Sequence, residues 1–487
     1  AEFFIMELEK KGIPKKINGK LNQTFRSSIN IGEIILPTIR FERPEFQEIH
    51  RFLNSSVITE KSPDGLLALK GFFKSVNATL DGFQFDFGAG GIHGSLKKTV
   101  IHNSDTHDLL DWDVASYYPN LAIKNRFYPE HLTSMFCDIY LGVYEQRSSY
   151  AKGTPENAML KLALNSVYGN SSSIYSSMLD QKLTMSITIN GQLLLCMLAE
   201  ELMKIPDLKM VQINTDGLTF LCPKPYREHA NKLWKWWEQL TQLELEEAEY
   251  SLMAIRDVNN YLAVKLSGDV KRIGSYAYET PHTDPATREL SWHKNHSQRV
   301  VAMAAEAALV HKKPITSFIY EHEEFMDFML RTKVPRSSTL ELVTDYEKPK
   351  QVYNNTTHLY EFTPQGKREK VQNITRFYVS KTGGKLIKTM PPTKKMIEKW
   401  ENGDHYQHET TGEYQVTVRG KKPKSGKFKP VVNPELNKMP PREIGIQVGQ
   451  LVTDCSSIGE DQWSNLDYQY YIHQAEKLVN PLLMELD

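Results

Sequence analysis

Asp113-Val114-Ala115-Ser116-Tyr117-Tyr118-Pro119 decides the reading of this chain. An apolar run, Leu109 to Val114, reads as a strand that carries Asp113 at its end. A second acidic turn, Asn214-Thr215-Asp216-Gly217, lies between two more apolar runs, Lys209 to Ile213 and Leu218 to Leu221. Short apolar runs around a Gly-containing turn predict a hairpin with a carboxylate at its tip. Both acids are thus expected at strand ends, where they can meet.

Between them, helical periodicity covers about Phe136 to Lys152, and Gly153-Thr154-Pro155 breaks it. Thr154 is placed to cap a new helix, with Pro155 in its first turn and Glu156 suited to its dipole. That helix is read as running to Tyr168, with Gly169 as its stop. Lys161, Asn165 and Tyr168 recur at i, i+4 and i+7 and share one face, beside a packing face of Leu160, Leu164 and Val167. Two carboxylates that can hold divalent metal, with a cation for a polyphosphate, suit nucleotidyl transfer.

Composition supports an ordinary multi-part globular chain. The 487 residues are 40% hydrophobic and 24% charged, enough for a large core. No uninterrupted apolar run approaches the ~20 residues of a membrane span. Leu193 to Leu198 reads instead as part of a buried helix, Ile189 to Lys204. The four cysteines lack metal spacing, and a reduced cytoplasmic compartment is expected. Ala1-Glu2-Phe3 is left out of the fold reading. Lys+Arg and Asp+Glu balance at 59 each, so overall charge names no partner. The tract Arg419 to Lys429 is basic without an acid and is a candidate phosphate contact.

The wording and order of the three segments resemble motifs A, B and C of family B DNA polymerases, with good specificity over about residues 80 to 280. The resemblance implies an α+β right hand with an antiparallel-sheet palm. On that scheme 1–107 leads into the palm, 108–135 and 170–280 form it, 136–169 is a helical fingers hairpin, and 281–487 is the thumb and C-terminal region. The implied activity is DNA-directed DNA synthesis on a primer-template from deoxynucleoside triphosphates. Two Mg²⁺ ions are implied, with Mn²⁺ as a substitute. Asp113, Asp216 and the carbonyl of Val114 would be the metal ligands. Lys161 would join the two acids in catalysis by meeting the triphosphate. Ser116, Tyr117, Tyr118, Arg147, Asn165 and Tyr168 would hold the nucleotide, with Tyr118 under the sugar as a block to a 2′-hydroxyl.

Other positions depart from the family. Many members read Asp-Thr-Asp where this chain has Asn214-Thr215-Asp216, so position 214 carries no charge. Val258-Asn259-Asn260-Tyr261 stands where a Lys-Lys-Arg-Tyr segment is usual, which shifts primer contacts toward Lys265, Lys271 and Arg272. Gly88-Ala89-Gly90-Gly91, between expected strands Phe83 to Phe87 and Ser95 to Ile101, reads as a hairpin turn or as a loop where DNA backbone passes Gly90 and Gly91. Lys294, Arg299, Arg331, Lys333 and Arg336 are further phosphate candidates. No Asp-x-Glu strand precedes Asp111, so no 3′–5′ exonuclease is expected, and a separate nuclease or processivity partner is. The compact spacing of the motifs is most like phage or mobile-element members. An RNA-templated or template-independent nucleotidyltransferase, and an inactive polymerase-like DNA-binding subunit, remain the rival readings.

Overall fold

The computed structural model describes residues 2–278, 297–424, 426–431, 438–447, 449–457 and 462–483. Helix and sheet are mixed, and the chain divides into two compact units. The first is Ala1–Ala277 with Pro285–Glu289 and Leu478–Asp487; the second is Tyr278–Asp284 with Leu290–Lys477.

The first unit is built on a ten-stranded antiparallel sheet. Its strands are β1 Asn77–Leu80, β2 Phe83–Gly88, β3 Gly91–Ser95, β4 Thr99–His102 and β5 His107–Val114. They continue with β6 Lys209–Asn214, β7 Gly217–Pro223, β8 Leu245–Asp257, β9 Asn260–Lys265 and β10 Val270–Ile273. The order is β10-β9-β8-β5-β7-β6-β3-β2-β1, and β4 pairs with the far half of β8. β5 sits centrally because it is apolar on both faces: Leu109, Leu110 and Trp112 are all fully buried. The expected strand Ser95 to Ile101 is really two pieces, since Gly88 and Gly91 pair directly and the turn is only Ala89-Gly90.

Helices cover this sheet or flank it, Pro44–Asn54 through Phe46 against Phe85 among them, and five bear on the site. They are α1 Tyr117–Lys124, α2 Met135–Ser148, α3 Pro155–Asn170, α4 Gln181–Leu202 and α5 Arg227–Thr241. Thr154 caps α3 by accepting the Asn157 N–H, as its sequence predicts. Gly169 does not stop that helix; it continues to Asn170, because the chain turns right-handed at Ser171 and needs no left-handed residue there. The helix expected from Ile189 begins eight residues earlier, where Asp180 caps it by accepting the Lys182 N–H. The N-terminal Glu2–Lys10 is also a helix, and it buries Phe4 against Tyr140 of α2.

α4 is the core helix. By length and apolarity it could cross a membrane, yet its whole apolar window is buried inside the protein. Buried on nearly all sides, it must satisfy its own polar side chains. Asn190 accepts the Leu36 N–H and donates to the Ile34 carbonyl. Glu200 accepts the N–H groups of Glu42 and Arg43. Gln181 exchanges two bonds with the Leu67 backbone, and Gln192 accepts the Gly88 N–H. These bonds fasten a long irregular N-terminal segment, and the β2–β3 hairpin, to one rod.

The second unit contains the helix Arg299–His311 and several small antiparallel sheets between Leu330 and Asp454. Arg299 is held by Asp327, Arg331 bonds through its main chain to Ser297, and Lys294 lies outside the described residues.

Asp180 is the sharpest test of this packing. It is 1% exposed, caps α4, takes Arg26 through both oxygens at 2.7 and 3.0 Å, and accepts the Glu130 N–H. Asp180→Ala removes the α4 cap and leaves the largely buried Arg26 guanidinium only the exposed Glu130 carboxylate at 2.6 Å, and should cost about 3 kcal/mol in urea unfolding. Lys10→Ala, which breaks an exposed pair with Glu7, should cost under about 0.5 kcal/mol.

Candidate active-site cleft

The register of β5 against β7 builds the site. Gly217 lies opposite Asp113, and the next pair is Leu218 with Trp112. A Cβ on Gly217 would come within 2.1 Å of Asp113 Oδ1 and 2.7 Å of the Trp112 carbonyl, so only glycine fits. Just before it, Thr215 holds a left-handed φ of 51°, which is costly for a β-branched residue. The surroundings enforce it: the Thr215 N–H donates to the Ile92 carbonyl, and Asp216's carbonyl accepts the Val114 N–H at 2.7 Å. The two acidic turns are thereby locked edge to edge.

Asp113 and Asp216 line one cleft of about 630 Å³. Lys161, Asn165 and Tyr168 enter it from α3, and Arg147 from α2. Val114, Ser116 and Tyr118 border it from the other side. Ser116 has a φ of 47°, which turns the strand sharply into α1. Its hydroxyl accepts from Arg147 Nη1 at 2.8 Å, tying the helical hairpin to the first acidic turn. Asn157 closes that hairpin by donating to the carbonyls of Arg147 and Tyr150. Lys152 reaches Glu246 at 3.1 Å, but both are exposed and the pair is weak.

The two adjacent tyrosines separate. Tyr117 borders the cleft, yet its side chain is 3% exposed and its hydroxyl donates to the Gly191 carbonyl at 2.6 Å. Its ring is core, packed against α4. Tyr118 turns outward, with its hydroxyl on the Gly90 carbonyl at 2.6 Å. Its ring lies 5.0 Å from that of Tyr168, whose own hydroxyl donates to the Ala89 carbonyl at 3.1 Å. The Gly-rich turn therefore backs a wall of two aromatic rings. A Cβ on Gly91, at φ 144°, would stand 2.8 Å from the Tyr118 hydroxyl, which gives that glycine a packing reason.

Lys271, expected as a primer contact, is drawn inward. Its ammonium lies 3.2 Å from Asp111 Oδ2 and 3.5 Å from Asp113 Oδ2. Burial pulls its pKa down, but Asp111 and Asp113 more than offset that, leaving it well above the ordinary lysine range. Lys265 borders the same recess at the sheet edge and is exposed, while Arg272 lies outside it and bonds the Val270 carbonyl at 3.2 Å. Asn259 is a turn residue and Asn260 opens β9, bonding Asp257 and the Ser275 N–H.

Asp111 is the important residue that the sequence reading passed over. It is buried and accepts from Thr219 at 2.6 Å, Tyr250 at 2.5 Å and Lys271. The signal was available: Asp111 and Asp113 are two apart in a strand, so they share a face. Burial, then Asp111 and Asp216, push the Asp113 pKa up to about 6, with Lys271 opposing. Burial likewise raises Asp216, again against Lys271. Among the described residues no group of three or more His, Cys, Asp or Glu stands ready for a metal. The donor set is this carboxylate pair, with the Val114 main chain beside it.

No family model and no curated protein matches the chain. Among solved structures it is similar to the family B DNA polymerase of the hyperthermophilic archaeon Pyrobaculum calidifontis. That similarity is 14% in identity with a TM-score of 0.37, over 80% of this chain and 46% of the other. The chain thus spans about half the length of that polymerase. So distant a likeness assigns no residue a role, and the cleft has to speak for itself.

A pH test probes the crowding of the acids. The folded pKa of Asp113 lies above the usual carboxylate value of about 3.9. The folded state therefore holds an extra proton between the two values and loses stability as pH rises from about 4 through about 6. In EDTA, Asp113→Asn should melt higher than the parent at pH 7, with the gap closing by pH 4. The carboxylate is 47% exposed toward the cleft, so solvent screens it and the gap should be a few degrees. A gap that grows on acidification would contradict the stated direction.

Proposed function

We propose that the protein is a template-directed DNA polymerase of the family B type, extending a primer 3′-hydroxyl with deoxynucleotides. The sheet of the first unit would be the palm and the α2–α3 hairpin the fingers. One observation carries the reading: two crowded carboxylates, a lysine and an arginine from a helical hairpin, and an aromatic wall share one cleft. That combination suits a triphosphate on a sugar better than an uncharged ligand.

The carboxylates fit hard divalent cations. Their oxygens are the donors Mg²⁺ prefers, and a bound cation would favour the ionised form that burial disfavours at Asp113 and Asp216. Asp113, Asp216 and the Val114 carbonyl would hold the ions. When bound, such ions supply neutralising charge at the attacking and leaving oxygens. The chain's own groups do the rest. Lys161 meets the phosphates from one face of α3, and Arg147 grips them from α2 while Ser116 fixes its direction. Tyr118 closes the space beside the sugar. Asn214, uncharged, hydrogen-bonds with Thr215 at 3.3 Å and supports the turn rather than an ion.

Primer extension on matched DNA and RNA templates with Mg²⁺ tests the reading and its rivals. Extension on DNA supports it; extension only on RNA, or without any template, replaces it with another nucleotidyltransferase. Asp216→Ala should abolish extension by at least 10³-fold while primer-template binding survives. Lys161→Ala should weaken nucleotide use by about 1.5–3 kcal/mol in single-turnover titration. Primer shortening is expected to be absent from the same gels.

Sugar choice offers a separate check. Tyr118→Val should raise ribonucleotide incorporation relative to deoxynucleotide, and Tyr117→Val should instead lower the melting temperature. An unchanged ratio in the Tyr118 variant would remove the ring from sugar selection.

A further inference from the structure

One stretch of the second unit is chemically unlike the rest of the chain. Residues 331–457 hold 23 Lys and Arg against 13 Asp and Glu, within a chain that is balanced overall. A polyanion is the partner such an excess fits. The basic tract noted in the sequence, Arg419 to Lys429, is only part of it.

Aromatic rings are interleaved with these cations. In the hairpin Lys350–Asn354 with Leu359–Thr363, Tyr353 and Tyr360 are directly opposite, with ring centroids 5.1 Å apart. They are 44% and 46% exposed, far more than a pair recruited into a core. Phe362 follows Tyr360 on the same face and meets Tyr414 edge-on at 5.6 Å. Tyr414 lies over Trp400 at 5.4 Å and 32°. The result is a row of part-exposed rings running across two small sheets and a helix.

Cations gather at the Trp400 and Tyr414 end of the row. Trp400 belongs to the helix Lys394–Asn402, whose Lys394, Lys395 and Lys399 are exposed. The strand of Tyr414 leads into the basic tract, which returns as Phe428–Pro430 alongside Asp404–His408.

We propose that this face is a stacking platform for a single strand of nucleic acid. Flat rings accept any base by its π-face, and the lysines at the Trp400 end meet the phosphates. Ring faces have nothing to stack on in a duplex, whose bases already cover one another. The partner is therefore a single strand, and the contact does not read sequence. The proposal does not depend on the polymerase reading, since no residue of the cleft takes part.

The test is fluorescence anisotropy on the full chain with fluorescein-labelled oligo-dT and oligo-rU, and with a duplex of equal length. Tyr353→Ala with Tyr360→Ala should weaken single-strand binding at least about tenfold and duplex binding less than about twofold. Tyr353→Phe with Tyr360→Phe, which keeps the rings, should stay within about twofold of the parent. Lys394→Ala with Lys395→Ala should weaken binding and flatten its salt dependence. Weakening for either homopolymer supports the platform. Unchanged binding of both by the folded alanine variant, equal losses for single strand and duplex, or an equal loss in the phenylalanine variant would overturn it.

Discussion

Everything at the cleft depends on a missing side chain. Because position 217 has no Cβ, the strand leaving the second acidic turn can lie against Asp113 itself. The register that follows sets Asp113 beside the Asp216 turn and opposite Glu246 on its other edge. Acids gathered in so sheltered a place are costly to ionise: burial first, and neighbouring carboxylates second, raise the pKa of both aspartates. The fold answers from below, with Asp111 fixed by Thr219 and Tyr250 and an ammonium laid between the acids. From above it answers with Lys161 and Arg147, which arrive on helices.

A second dependence is less local. α4 lies under the site and is buried along its length, yet it carries amides and acids that reach out sideways. Each of these contacts a different stretch of backbone before residue 90. A segment with few regular elements is thus ordered by borrowed hydrogen bonds. A substitution that removes one of these side chains leaves a buried backbone group unsatisfied, at a cost of about 1–3 kcal/mol.

Much of this was legible in the chain. Strand ends bearing Asp113 and Asp216 follow from short apolar runs, and the common face of Lys161, Asn165 and Tyr168 from spacing alone. The hidden parts depend on register between distant strands. Lys271 reads as a surface cation until β9 and β10 return it across the sheet to Asp111, 160 residues earlier. Asn259 and Asn260 read as replaced contact residues, but they serve the turn that makes this return possible. Gly91 invited a ligand explanation because a glycine cluster has several physical causes; the nearby tyrosine hydroxyl supplies one. The second unit was hardest, since its strands are short and exposed on at least one face and carry little apolar alternation.

The aromatic wall has one more property. Both ring hydroxyls end on carbonyls of a two-residue turn, and the Gly88 N–H beside that turn is anchored to Gln192 on the buried helix. The aperture beside Tyr118 consequently has no hinge of its own. Its width is a dimension of the core, set when the core packs, rather than the posture of a loop that relaxes and recovers. Heat or denaturant should then leave the aperture unchanged until the surrounding structure gives way.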